Sequence, residues 1–157
     1  SQVEILLRMD SDDHDRLAMR DALWERYQSK TVVGPRGRGY VDMGVFVDDL
    51  TRVATGRWAW LFDDDSWVEG QWQDALTAIT PTTTGPAVHA EFYCLGPSTY
   101  RNGPTGGPVG IIVPMSLPKS LEHKNPVDAQ WLSEVMARKW TIQLLAGVRY
   151  CHDGRPR

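Results

Sequence analysis

The sequence predicts an α/β protein with a mainly parallel central sheet flanked by helices, and mixed strands in its second half. Three observations carry that expectation. Short apolar runs alternate with helix-period segments through the first half of the chain. Two of those runs stop abruptly in carboxylates, at Asp10-Ser11-Asp12-Asp13 and at Asp63-Asp64-Asp65. The second half is less regular, broken above all by Gly96 to Pro108, which holds four glycines and three prolines.

Val3 to Met9 reads as a buried strand, interrupted only by Glu4 and Arg8, and the acidic residues after it end the apolar run. His14 to Gln28 places Leu17, Ala18, Ala22, Leu23 and Tyr27 at amphipathic spacing, the pattern of a helix packed on a sheet. Thr31 to Val33 is a short strand, and Gly34-Pro35-Arg36-Gly37-Arg38-Gly39-Tyr40 a cationic, glycine-rich loop. Helical spacing resumes from Val41 to Thr55 through Met43, Val47, Leu50 and Ala54, and Gly56 stops it. Trp58 to Phe62 is the next strand. Gln71 to Ile79 reads as a short helix, Pro81 to Pro86 as a Thr-rich turn and Ala87 to Leu95 as a strand. Gly96 to Pro108 is long enough to be a functional loop. Gly110 to Pro114 is a buried strand, and Asn125-Pro126-Val127-Asp128 starts a helix running to Lys139. Trp140 to Tyr150 supplies a last strand or pair of strands, followed by Cys151-His152-Asp153-Gly154.

A chain of 157 residues fits one domain spanning 1–157, with enough length to bury a core. Its net charge of −3 argues against a nucleic-acid partner, because phosphate backbones are bound through clustered Lys and Arg. Seven tryptophans are a surplus, and Trp58, Trp60 and Trp131 sit in apolar patterns that read as core. Cys94 and Cys151 lack metal-motif spacing, which reads as a reduced cytoplasmic thiol pair, with a disulfide left open. Neither an export signal nor a transmembrane span is expected.

The acidic triplet carries the most chemistry. Three adjacent carboxylates repel one another, and Mg²⁺ or Mn²⁺, with their preference for oxygen donors, would relieve that repulsion. A solvated acidic turn is the plainer alternative. The strand before the triplet favours the metal, because it puts the carboxylates at the carboxyl edge of a sheet, where open α/β sheets bind ligands.

Taken in order, an acidic strand end, a Gly/Arg loop, a helix ending in Ala54-Thr55-Gly56 and a strand ending in Asp63-Asp64-Asp65 resemble glycosyltransferases of the GT-A fold, particularly the family-2-like nucleotide-sugar enzymes. The similarity covers Val3 to Trp72 well and Ala87 to His152 more loosely. It implies that the chain binds a nucleoside-diphosphate sugar and Mn²⁺ or Mg²⁺, and transfers the sugar to a glycan, protein or small-molecule hydroxyl, with inversion favoured over retention. Asp10 then takes the place of the acidic residue that contacts nucleobase or ribose, with Asp12 beside it. Arg36, Arg38 and Gly39 form the loop that meets phosphate. Asp63 and Asp65 match the ends of the DxD metal motif, with Asp64 on the donor side between them. His152 corresponds to a late histidine ligand.

An inverting transferase also needs a carboxylate to take the acceptor's proton. Asp128 is the best match to that residue, though as the start of a helix it reads equally as a plain cap. Glu91, on a strand before the glycine-rich loop, is the reserve, and Glu134 reads as helix surface. Trp67 and Trp72 are placed to line a sugar pocket, or simply to pack.

The chain departs from the family by starting where a first strand-helix unit of about 30 residues would already have passed. A homodimer or a partner chain would then cover the open sheet edge. Two other readings stay open on the same residues. One is a metal-dependent phosphoesterase using Asp10, Asp12, Asp63 and Asp65; the other is a nucleotide-binding or assembly module that has lost catalysis.

Overall fold

A computed structural model describes residues 3–62, 66–74, 87–95 and 110–153. The chain is α/β, and it divides into two compact units. One comprises Gln2–Arg57 with Met115–Val127; the other comprises Trp58–Pro114 with Asp128–Arg157.

The first unit holds β1 (Leu6–Asp10), α1 (His14–Ala18), α2 (Arg20–Tyr27), β2 (Lys30–Gly34) and α3 (Met43–Val53). Strands β1 and β2 pair in parallel, Leu6 opposite Lys30 and Asp10 opposite Gly34, so the helical crossover between them forms a β-α-β unit. The expected single helix from His14 to Gln28 is two short ones that meet at Met19, the C-cap of α1 and the N-cap of α2. Neither buries a residue fully: of the expected apolar face Leu17 and Leu23 are half-buried, while Ala18, Ala22 and Tyr27 are exposed, so the packing is partial among the described residues. A short 3₁₀ turn, Gly39–Asp42, precedes α3, which buries Gly44, Val47 and Thr51 in an i, i+3, i+7 stripe.

Residues 115–127 return to α3. The Lys119 ammonium donates to the Ala54 carbonyl at 2.7 Å, just past the helix end, where a cation offsets the unpaired carbonyls. The Asp48 carboxylate accepts from the His123 backbone N–H and contacts its fully buried ring at Nδ1. The Asn125 amide donates to the Tyr40 carbonyl.

Glu4 ties the start of this unit to the far end of α3. Its Oε1 accepts from Lys30 Nζ at 2.6 Å and from the Thr55 hydroxyl, while Oε2 accepts from the Thr55 N–H at 2.7 Å and the Gly56 N–H at 3.1 Å. Burial works to raise the Glu4 pKa, but those donors outweigh it and hold the group at about 2, against an ordinary 4.5. A depressed carboxylate adds stability above its unfolded value and loses it as pH falls toward the folded one. Glu4→Gln is therefore expected to cost about 1–2 kcal/mol at neutral pH after allowing for solvent screening. In melts at descending pH the gap between variant and wild type should close between about 4.5 and about 2. A gap that is constant with pH would show that the charge contributes nothing.

The second unit is built on a five-stranded sheet of order β3-β6-β5-β7-β4, with β3 (Trp58–Trp60), β4 (Ser66–Glu69), β5 (Ala87–Leu95), β6 (Ile111–Pro114) and β7 (Ile142–Asp153). Only β5 and β7 run parallel; β3 with β6, β5 with β6, and β4 with β7 are antiparallel. Among the described residues, then, the parallel pairing expected of one central sheet is confined to β1–β2 and β5–β7, and the larger sheet is mixed. Strand β3 ends in a different sheet from β1, which sequence alternation cannot foresee, because alternation counts strands and does not choose their neighbours.

Ile111, Ile112 and Val113 are buried in succession, as suits a central strand covered on both faces. Ile112, Leu145, Val148 and Tyr150 form the core, with Trp58, Trp60, Val68 and Trp72 packed against them. Helix α4 (Val127–Ala137) buries Trp131 and Val135, four residues apart on one face. Trp131 is thus core as expected, while Trp58, Trp60 and Trp72 border the sheet's cluster as partly buried rings. Trp67 is exposed, its Nε1 donating to Glu69 at 3.1 Å. Cys151 is a buried free thiol whose pKa burial pushes up. No helix among the described residues is long and apolar enough to cross a membrane.

Candidate functional site

In the first unit, parallel pairing sends the carboxyl ends of β1 and β2 to the same edge. Asp10 therefore lies opposite Gly34, and the Ser11 N–H donates to the Gly34 carbonyl at 2.8 Å, carrying the ladder one residue further. Asp12 and Arg36, 24 positions apart in sequence, meet in an ion pair of 2.9 Å. Asp13 is used locally, accepting from the Arg16 N–H at the start of α1. Asp12 and Arg36 are thus brought together, with Asp10 at the end of the same strand edge.

The cations of the loop are already engaged. A hydrogen bond to Asp12, then the same group's charge, raises the Arg36 pKa. Arg38 forks onto Asp42 at 2.7 and 3.1 Å, and its own N–H donates to Asp42 at 2.7 Å. The Arg38 side chain is the main reason that Asp42 is held at about 2. A phosphate entering here would exchange with Asp12 or Asp42 rather than meet bare guanidinium groups. Gly39 has a φ of +63°, and a Cβ there would meet nothing within 4 Å, so it is the left-handed turn into the 3₁₀ segment, and not a lack of room, that calls for glycine.

In the second unit, the acidic triplet Asp63, Asp64 and Asp65 lies outside the described residues, as does the 96–108 loop. Strand β4 begins at Ser66, next after Asp65, and pairs antiparallel with β7 so that Ser66 stands opposite His152. Residues directly opposite in such a pair share a face, with Cβ atoms about 4.5–5.5 Å apart. The Ser66 hydroxyl is buried and has no hydrogen-bond partner among the described residues. Among those residues no group of three or more His, Cys, Asp or Glu side chains is arranged to hold a metal ion.

Asp128 occupies the first turn of α4 and is half-buried. Its Oδ1 accepts from the Ala129 N–H at 2.8 Å. Burial raises its pKa, against backbone hydrogen bonds that lower it. Glu91 lies on β5 opposite Arg149, directly after the register shift at Ala90/Glu91.

No family model, curated protein or solved structure matches this chain. The chemistry of the site is therefore read from its own residues.

Several of these residues were not singled out by sequence reading. Arg8 reads there as an interruption of an apolar strand, yet its side chain is only 6% exposed and bonds to both Asp10 and Asp49. The available signal is its spacing: Arg8 stands two residues before Asp10, hence on the same strand face. Asp42, Asp48 and Asp49 gave no comparable signal, because their partners come from distant parts of the chain or from a loop of unpredictable path.

Proposed function

We propose that this chain is a metal-dependent glycosyltransferase of the GT-A, family-2-like type, moving a sugar from a nucleoside diphosphate to an acceptor hydroxyl with inversion. The observation that carries the reading is the β4–β7 register, which sets His152 opposite Ser66, the neighbour of Asp65. An imidazole beside carboxylates is a donor set that suits Mn²⁺, or Mg²⁺ with more of its water retained. The Ser66 hydroxyl, without a hydrogen-bond partner among the described residues, fits a place that takes a polar ligand. In this reading Asp63, Asp65 and His152 hold the ion, which when bound neutralises charge on the departing diphosphate. Asp10 and Asp12 receive the nucleoside, with Asp64 on the donor side, and Arg36 and Arg38 exchange their carboxylate partners for phosphate. Asp128 takes the acceptor's proton, with Glu91 in reserve. The parallel β1–β2 unit and the mixed second sheet support the GT-A assignment only as far as α/β architecture does, and the buried Cys151 thiol suits a reducing cytoplasm.

A thermal-shift titration with UDP, GDP and their sugars, with Mn²⁺ present or chelated, tests this. At a hundredfold excess over Kd a bound ligand adds about 2.7 kcal/mol, or about 5–10 °C for a chain of this length. The expected result is a shift that needs both the metal and one nucleotide and that disappears in Asp65→Ala. No shift with any nucleotide, or a shift untouched by Asp65→Ala, would overturn the reading.

A second reading, a nucleotide-binding or assembly module without turnover, draws on one observation. Strand β1 has a single ladder partner, β2, among the described residues, which leaves an edge for another chain. Metal-dependent nucleotide binding without sugar transfer would favour it.

A further inference from the structure

We infer that Arg8 is a positioning residue for the nucleoside half of the site: it locks the Asp10 carboxylate and the start of the Arg36 loop in one geometry. The inference rests on the reading of Asp10 as a nucleotide contact. Arginine carries five N–H donors in a rigid fork, and Arg8 directs them to separate elements. Its Nη1 donates to Asp10 Oδ1 at 2.7 Å and to the Met9 carbonyl at 2.8 Å, both at the end of β1. Its Nη2 donates to the Pro35 carbonyl at 2.6 Å, at the root of the loop. Its Nε donates to Asp49 on α3 at 3.2 Å, and the guanidinium lies 4.8 Å from the centre of the Phe46 ring. One planar group thus fastens a strand end, a loop and a helix.

The consequence falls on Asp10. With Oδ1 held by Arg8, the carboxylate cannot rotate freely, and Oδ2 is the oxygen left to accept from a ligand N–H or hydroxyl. A fixed acceptor binds more tightly than a rotating one because less side-chain freedom is lost on binding. Gly34 makes the arrangement possible: a Cβ there would stand 2.6 Å from Arg8 Nη2 and 2.9 Å from its Cζ. The smallest side chain at 34 would therefore displace the guanidinium without removing its charge.

The test is a double-mutant cycle in nucleotide affinity, read by calorimetry with Mn²⁺ and whichever of UDP and GDP the wild type binds. Arg8→Lys keeps the charge but loses the fork; Gly34→Ala pushes the intact fork aside; Asp10→Asn removes the proposed ligand contact. Each is expected to weaken binding about tenfold or more, the scale of a hydrogen bond to a charged group. Combined with Asp10→Asn, neither Arg8→Lys nor Gly34→Ala should weaken binding further, because both act through Asp10. Should Arg8→Lys fail to fold, Gly34→Ala carries the same cycle. Affinity unchanged in Gly34→Ala, or losses that multiply with that of Asp10→Asn, would overturn the positioning role while leaving the glycosyltransferase reading intact. A wild type that binds neither nucleotide, or an Asp10→Asn that binds like wild type, would instead remove the reading on which the inference stands.

Discussion

Tyr150→Ala is expected to lower the unfolding free energy by about 3–5 kcal/mol, the range for deleting a large buried ring. Tyr150 is 1% exposed at the centre of the second unit's core. Its ring lies 5.1 Å from Phe62 and 6.2 Å from Trp60 between centroids, so the deletion strips both the sheet and the strand that leads to the acidic triplet. The surrounding groups cannot all collapse onto the void. Ile112, Leu145 and Val148 are held by their own strands, so the cavity term adds to the lost transfer energy. A fall in melting temperature of about 10 °C follows for a chain of this length. Tyr150 stands opposite Val68, two residues before His152, and loosening there disturbs the Ser66–His152 pairing as well. Manganese affinity, followed by calorimetry below the melting temperature, should therefore weaken with stability. A melting temperature within about 2 °C of wild type would show that the aromatic cluster does not carry this unit.

Asp128→Asn is expected to reduce turnover by about 10²–10⁴-fold, the contribution of a positioned general base, with nucleotide affinity retained. Asparagine keeps an oxygen to accept from the Ala129 N–H, so the helix start loses little. The pH dependence separates base from cap. Burial raises the Asp128 pKa, so the acid limb of kcat/KM should lie above the ordinary carboxylate range. The sign for stability is opposite to that of Glu4. A carboxyl with a raised folded pKa favours the fold while protonated, and that contribution is lost as pH rises from the unfolded value through the folded one. At neutral pH the uncharged variant should accordingly melt no lower than wild type, even as its turnover collapses. A variant with wild-type turnover and a lowered melting temperature would make Asp128 a cap and move the base elsewhere, Glu91 first.

Within the first unit, some of the candidate residues are open to a reader of the sequence and others are not. The acidic ends at Asp10 and Asp12 and the cations Arg36 and Arg38 are visible because strand ends and glycine-rich loops are punctuated locally. That Asp12 and Arg36 meet at one edge fits two strands joined by a helical crossover and running parallel, whereas Arg38 turns to Asp42. The ion pair between Asp12 and Arg36 is the product. Less legible was the helix after β1, whose apolar spacing at Leu17, Leu23 and Tyr27 promised a packed face that α1 and α2 cover only in part, with Leu17 and Leu23 half-buried and Tyr27 exposed. Periodicity reports what a helix could bury, not what stands against it.

By itself, the sequence determined the α/β alternation, the positions of most strands, the core role of Trp131 and the local chemistry of each strand end, because these depend on residues within a turn or two of one another. Tertiary structure alone decided which strands are neighbours, and so separated β1 from β3, placed His152 opposite Ser66 and made Arg8 a buried link among Asp10, Pro35 and Asp49. Ladder pairing and the burial of a charge are set by contacts between residues tens of positions apart, whose energies no local pattern records.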